Sequence, residues 1–254
     1  METISVRKLT HANLHIDCDH SIAEELKEFF SFFVPGYRYM PAFKRRVWDG
    51  KIRLFDSNSG ELPAGLYHHF LRLCKSRDYK VDLVKTQYGL PDDMNEIAPE
   101  EIYDYSKKLN LPWELRDYQF AGIFHALKYK RAILLSPTGS GKSLIIYYLV
   151  RWYLRYAAKK VLVIVPTTSL VEQMYSDFVE YNMPEKMAHK IYSGKEKTDE
   201  AEIYISTWQS IYKLPKIWYS QFGAVFGDEC HGFKSKSLMN IMNKATEAEY
   251  RYGT

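Results

Sequence analysis

Residues 131–150, RAILLSPTGSGKSLIIYYLV, run from an apolar strand through a glycine-containing loop into a helix that starts near Lys142. Gly139 and Gly141 lack a Cβ, so the backbone there can take left-handed conformations and approach a ligand closely. Successive N–H groups then converge on one point, and the helix dipole adds partial positive charge at the same place. That combination binds phosphate. Lys142 is placed to reach the β- and γ-phosphates of ATP, and the Ser143 hydroxyl to hold Mg²⁺. Pro137, Thr138 and Ser140 complete the loop. The strict phosphate-loop pattern begins with glycine, whereas this one begins with Ser136. The octapeptide alone therefore also fits an ordinary Gly/Ser turn, and it is the flanking strand and helix that favour the phosphate loop.

A phosphate loop needs a second, acidic partner. Asp228-Glu229-Cys230-His231 follows the apolar run 223–227. Asp228 is suited to hold Mg²⁺, partly through water, and Glu229 to polarise the water that attacks the γ-phosphate. His231 is read as either a catalytic neighbour or a plain surface histidine, and Cys230 as a packing residue. Between and around these motifs the apolar runs RAILLS, VLVIVP, EIYIST and GAVFGDE alternate with longer helical stretches. Such alternation predicts an α/β lobe whose parallel sheet is covered by helices on both faces.

Upstream the texture differs. ISVRKL and LHIDC read as strands, SIAEELKEFFSFF has helical spacing, VWDGKIRLFD alternates, AGLYHHFLRLCKS is helical and YKVDLV is again a strand. Residues 1–86 are thus expected to form a small basic α/β domain, residues 87–112 a linker with a short helix, and residues 113–254 the phosphate-loop lobe.

Composition sets wider bounds. With 254 residues and 46% hydrophobic content the chain can build a sizeable core. No stretch is long and apolar enough for a membrane span, and METISVRKLTHANLH lacks a signal-peptide pattern, so an intracellular, cytoplasmic protein is expected. Cys18, Cys74 and Cys230 are odd in number and widely spaced, which argues against disulfides and zinc. The net charge of +4 is too small to name a partner, but its arrangement is informative. Between Arg38 and Arg53 lie Lys44, Arg45, Arg46 and Lys51 against Asp49 alone, with Tyr37, Tyr39, Phe43 and Trp48 interleaved. Cations supply phosphate contacts and aromatics stack on bases, so Lys44, Arg45 and Arg46 are candidate DNA contacts. A solvated basic face over a core containing Phe43 and Trp48 is the competing reading. Asp49-Gly50 is a plausible hairpin turn.

P-T-G-S-G-K-S with D-E-C-H resembles motifs I and II of the superfamily 2 helicases, and other first-lobe motifs fall in order around them. LRDYQ, residues 115–119, resembles the Q-motif, which implies that Gln119 reads the adenine edge while Arg116 stacks on the base. VLVIVPTTSLVEQ resembles motif Ia, which implies nucleic-acid contact from Pro166, Thr167, Thr168 and Gln173. ISTWQS is similar to motif Ic, placing Thr207 and Gln209 near the same strand, although Thr207 also suits a helix N-cap. The resemblance implies a RecA-like lobe. The N-terminal stretch FFSFFVPGYRYMPAFKRRVWDGKIRLFD narrows it to the recombination helicases of T-even-like phages, and the likeness extends to PKIWYSQFGAVFGDECH. For that group it implies ATP-driven remodelling of branched DNA, including fork regression, junction migration and R-loop removal, in the cytoplasm of a host cell. Branched or single-stranded DNA and RNA–DNA hybrids are the implied partners. A second RecA-like lobe is expected to supply arginine fingers, and RYGT resembles the strand leading into motif III. The chain accordingly reads as a fragment that binds ATP and DNA without efficient turnover. Two rivals stand beside this: a DNA-binding or annealing module with a nucleotide switch, and a small-molecule P-loop kinase, which would not be expected to carry LRDYQ and D-E-C-H.

Overall fold

The computed structural model describes residues 3–192 and 200–254, with Phe233 and Lys234 described by backbone only. It divides into two compact units, residues 1–93 and 94–254. In chain order the first runs β1 (Thr3–Lys8), β2 (Asn13–Asp17), α1 (His20–Phe29), β3 (Ser31–Phe33), α2 (Pro41–Lys44), β4 (Lys51–Arg53), β5 (Glu61–Pro63), α3 (Tyr67–Ser76) and β6 (Lys80–Val84). Four strands form a mixed sheet in the order β5-β2-β1-β6, with β1 antiparallel to β2 and parallel to β6. Strand side chains alternate between faces, so Ile4, Val6, Leu14 and Ile16 share one buried side. There they meet Ile22 and Leu26 of α1 and Phe70 and Leu73 of α3.

Two local expectations are corrected. The helical spacing of SIAEELKEFFSFF predicts a helix through Phe33, but α1 ends at Phe29 and residues 31–33 pair antiparallel with β4. The Asp49-Gly50 turn does not close a tight hairpin, because the strand paired with β4 is β3 and residues 34–50 connect them. Gly50 is nonetheless required: its φ is +84°, and a Cβ there would run into the Tyr37 ring. From residue 31 to residue 49 no side chain is buried. This arm is held by its own aromatic ladder, in which Phe33 stacks on Tyr37 at 4.7 Å and Tyr37 meets Phe43 edge-on at 4.8 Å.

The second unit runs α4 (Pro99–Leu109), α5 (Asp117–Tyr129), β7 (Arg131–Ile133), α6 (Lys142–Leu154), β8 (Lys160–Val165), α7 (Thr168–Glu180), β9 (Ala188–Ile191), β10 (Ile203–Thr207), α8 (Trp208–Ile211), α9 (Lys216–Tyr219), β11 (Phe222–Gly227), α10 (Lys236–Lys244) and β12 (Tyr250–Gly253). The stretch read as a linker carries α4, and Ile102, Tyr105 and Leu109 of that helix lie in the core of this unit. Six strands form one sheet, β7-β12-β11-β8-β10-β9, with every pair parallel. Both faces are covered, as the sequence predicts. In β8, Val161, Val163 and Val165 pack with Ile145, Leu149 and Phe178, while Leu162 and Ile164 pack with Ile211, Tyr219, Leu238 and Ile241. The loops after β7, β8, β10 and β11 leave from one sheet edge, the carboxyl end where parallel α/β sheets bind ligands. Among the described residues no helix is long and apolar enough to cross a membrane.

Candidate nucleotide and nucleic-acid sites

The strand β7 ends at Ile133, shorter than the apolar run RAILLS, although Leu134 N still donates to Gly253 O at 2.8 Å. The loop that follows turns on two left-handed glycines, Gly139 at φ +81° and Gly141 at +76°. Around Gly139 nothing lies within 4 Å of where a Cβ would stand, whereas a Cβ on Gly141 would sit 2.5 Å from Gln119 Nε2. The first glycine keeps the cradle open and the second admits the glutamine.

Gln119 is 4% exposed and engaged at both ends of its amide. Its oxygen accepts Arg116 N–H at 3.0 Å, which caps α5 at the N3 position, and its nitrogen donates to Ser140 O at 3.0 Å. Tyr118 Oη donates to the same carbonyl at 2.9 Å. Two neighbouring side chains of LRDYQ therefore brace the loop from behind. Arg116 reaches Tyr118 Oη at 3.4 Å and, with Tyr118, His125 and residues Ser136 to Ser140, lines a cleft of about 590 Å³.

A second cleft, of about 430 Å³, opens on the other side of the loop, lined by Thr138, Lys142, Ser143, Gln173, Asp228 and Glu229 among others. Lys142 Nζ pairs with Glu229 Oε1 at 3.2 Å. Asp228 is 8% exposed and accepts the Thr254 hydroxyl on Oδ1 at 2.8 Å. Glu229 lies at φ +51°, a strained conformation for a residue with a Cβ, at the end of β11. The Ser143 hydroxyl shares a hydrogen bond of 2.9 Å with Tyr181 Oη, and burial raises the Tyr181 hydroxyl above its ordinary pKa. His231 stands outside, with a side chain 80% exposed and Nδ1 3.3 Å from Glu229 Oε2. Cys230 packs, and burial pushes its thiol pKa up.

These residues fit Mg²⁺-ATP. The Gly139 cradle is open, Ser140 Oγ is buried without a hydrogen-bond partner among the described residues, and Lys142, Ser143 and Asp228 put a cation, a hydroxyl and a carboxylate on one wall. The sequence carries no signal for Tyr118 and Asp177, which line the two clefts, or for Tyr181, which reaches Ser143 by its hydrogen bond.

The residues expected on the nucleic-acid side separate into groups. Thr167 caps α7, accepting Leu170 N–H at 3.3 Å, and Gln209 Nε2 donates to Pro166 O at 3.4 Å, so Pro166, Thr167, Thr168 and Gln209 gather beyond β8 and β10. Thr207 is 4% exposed and its hydroxyl shares a hydrogen bond of 2.9 Å with Ser210 Oγ. Gln173 lines the phosphate cleft. In the first unit the arm's cations sort themselves. Lys51 pairs with Glu28 at 2.5 Å and Arg53 with Asp49, whereas Lys44, Arg45 and Arg46 are exposed with no acidic partner among the described residues. Phe43 and Trp48 are half-buried, so neither forms a core.

A parallel sheet with a phosphate loop after its first strand and an Asp-Glu pair after its fifth strand in chain order defines a P-loop helicase lobe. The family model described as the type III restriction enzyme res subunit matches residues 106–251, and that of the N-terminal region of DNA helicase UvsW matches residues 3–84. The chain is 38% identical over 252 residues to the ATP-dependent DNA helicase uvsW of Enterobacteria phage T4, covering 95% of this chain and 49% of that protein. Over 140 residues it is 30% identical to the DNA 3'-5' translocase XPB2 of Sulfurisphaera tokodaii, covering 55% and 30%. A crystal structure of the phage T4 UvsW helicase superposes with a TM-score of 0.89 at 36% identity, covering all of this chain and 91% of that one. A second structure of T4 UvsW gives 0.88 at 35% identity, covering all of this chain and 52% of that one. The chain belongs to the res-subunit family of superfamily 2 and, within it, groups with the UvsW helicases. It spans about half the length of the curated phage relative.

Proposed function

We propose that this chain is the nucleotide-binding and DNA-binding part of an ATP-dependent helicase that remodels branched DNA. The observation that carries the reading is the convergence of Lys142, Ser143, Asp228 and Glu229 on one cleft at the carboxyl edge of the sheet. Bound Mg²⁺-ATP supplies the phosphoanhydride whose hydrolysis drives the motor. Backbone N–H groups of residues 137–141 cradle the phosphates, Ser143 and Asp228 hold the metal, and Lys142 neutralises charge on the β- and γ-phosphates. Glu229 then exchanges its ion pair with Lys142 for a hydrogen bond to the attacking water, accepting its proton.

Gln119 and Arg116 stand on the side of the loop where the base is expected, with Gln119 also bracing Ser140. Pro166 to Thr168 and Gln209 are assigned to the DNA backbone, as are Lys44, Arg45 and Arg46 of the first unit. Lys142 is the one cation lining the phosphate cleft among the described residues. The remaining transition-state charge is therefore assigned to arginines of a second RecA-like lobe, worth roughly 10³ to 10⁵ in rate in P-loop enzymes. Lys142→Ala, in a protein that joins this chain to a second RecA-like lobe, should abolish ATP-dependent branch migration while DNA affinity stays within about twofold, because the P-loop lysine serves phosphate and not DNA. Full branch migration by the variant would overturn the reading.

A further inference from the structure

The arm formed by residues 31–53 holds a cavity of about 580 Å³, lined by Arg38, Phe43, Lys44, Arg46, Val47 and Trp48, with the Asp49 carboxylate at its rim. That volume lies within the range of small-molecule sites. Its walls are of two kinds. Arg38, Lys44 and Arg46 are exposed cations without acidic partners among the described residues, and Asp49, the one acid, is neutralised by Arg53. Trp48 is fixed in place by donating its indole N–H to Lys51 O at 2.8 Å, and Val47 beside it is 75% exposed. Arg46 takes the left-handed region at φ +57°, closing α2 with a bond from its N–H to Phe43 O. Tyr39, 82% exposed, belongs to the same arm.

Cations beside an anchored, half-buried ring and an exposed apolar side chain are the elements of a single-strand site: the cations meet phosphates and the apolar wall meets the face of a base. A continuous duplex satisfies only half of that surface, since its base faces are stacked on one another. We infer that this cavity is a binding site for an unpaired nucleotide of single-stranded DNA at a branch, its base against Val47 and Trp48 and its flanking phosphates met by Arg38, Lys44 and Arg46. The assignment rests on the DNA-binding reading above and adds to it the chemical form of DNA that the first unit selects.

The test uses the whole chain and two fluorescently labelled DNAs of equal length, one a blunt duplex and one carrying a short single-stranded gap with 2-aminopurine. Wild type should prefer the gapped DNA and quench the 2-aminopurine. Trp48→Ala and Val47→Ser should each weaken gapped binding, by about tenfold for the tryptophan, and leave the blunt duplex within twofold. Arg38→Gln and Arg46→Asn should instead flatten the salt dependence of gapped binding by roughly 0.7 per cation, asparagine being tolerant of the left-handed backbone. Equal loss on both DNAs, or no loss on either, overturns the inference. Should Trp48→Ala disturb the arm's fold, Val47→Ser decides, because its side chain is largely in solvent. Tighter binding of RNA of the same sequence, or equal competition by polyglutamate, also overturns it. Wild type that binds both DNAs equally defeats this inference alone, whereas wild type that binds neither defeats the DNA reading on which it rests.

Discussion

The phosphate cleft and the arm are both lined by charge, yet they are built in opposite ways. Lys142, Ser143 and Asp228 extend from elements whose other side chains form the buried core, with Ile145 and Phe226 almost inaccessible. The arm has no buried side chain from residue 31 to residue 49 and leans on a ladder of half-exposed rings. The contrast matches what each is proposed to recognise. Transferring a phosphoryl group needs atoms held to a fraction of an ångström, which close packing provides. A nucleic-acid strand, the proposed ligand of the arm, can be met from a largely exposed surface.

The contrast is tested most strongly at Glu229. Glu229→Gln, in a protein that joins this chain to a second RecA-like lobe, should lower DNA-stimulated ATP turnover by roughly 10² to 10⁴, the usual contribution of a general base. Nucleotide affinity should hold or tighten, because the carboxylate that competes for Lys142 at 3.2 Å is gone. A parallel fall in affinity, measured by titration with a fluorescent ATP analogue, would show that Glu229 holds the nucleotide as well. A smaller effect is expected in stability. Phe226→Ala should cost about 3–5 kcal/mol in thermal or urea unfolding, whereas Phe32→Ala, at a position 48% exposed, should cost under about 0.5 kcal/mol. Equal costs would mean that the arm is packed more tightly than its exposure indicates. The smallest effect separates the two loop glycines. Gly139→Ala meets no atom and should cost about 1 kcal/mol of backbone strain. Gly141→Ala should cost more, since it also displaces Gln119 from Ser140, and its nucleotide affinity should fall further than that of Gly139→Ala.

Legibility followed the same division. The parallel lobe could be read because its strands are buried on both faces, which leaves near-continuous apolar runs such as VLVIVP bounded by turn residues. β9 carries little sequence signal because AHKI is short and lies at the sheet edge, paired to β10. The arm misled for a physical reason. Phe29, Phe30, Phe32 and Phe33 carry no stop signal, and what ends α1 is pairing with residues 51–53, a contact that local spacing cannot announce. Within the cleft, glycine and lysine spacing identified the loop, while Tyr181 lies 38 residues from Ser143 and meets it through the packing of α7 against α6.

That last contact gives α7 a mechanical meaning. Its first turn is capped by Thr167, beside Pro166 and Gln209, and the residue after its last turn, Tyr181, bonds the hydroxyl of Ser143. Thirteen helical residues, roughly 20 Å at 1.5 Å per residue, separate the two ends. Such a helix is stiff along its axis, so its two ends are joined by a rigid span. A strand pressing on the Thr167 turn would deliver its displacement to the hydroxyl assigned to magnesium, and a change at the metal would travel back along the same span to the strand.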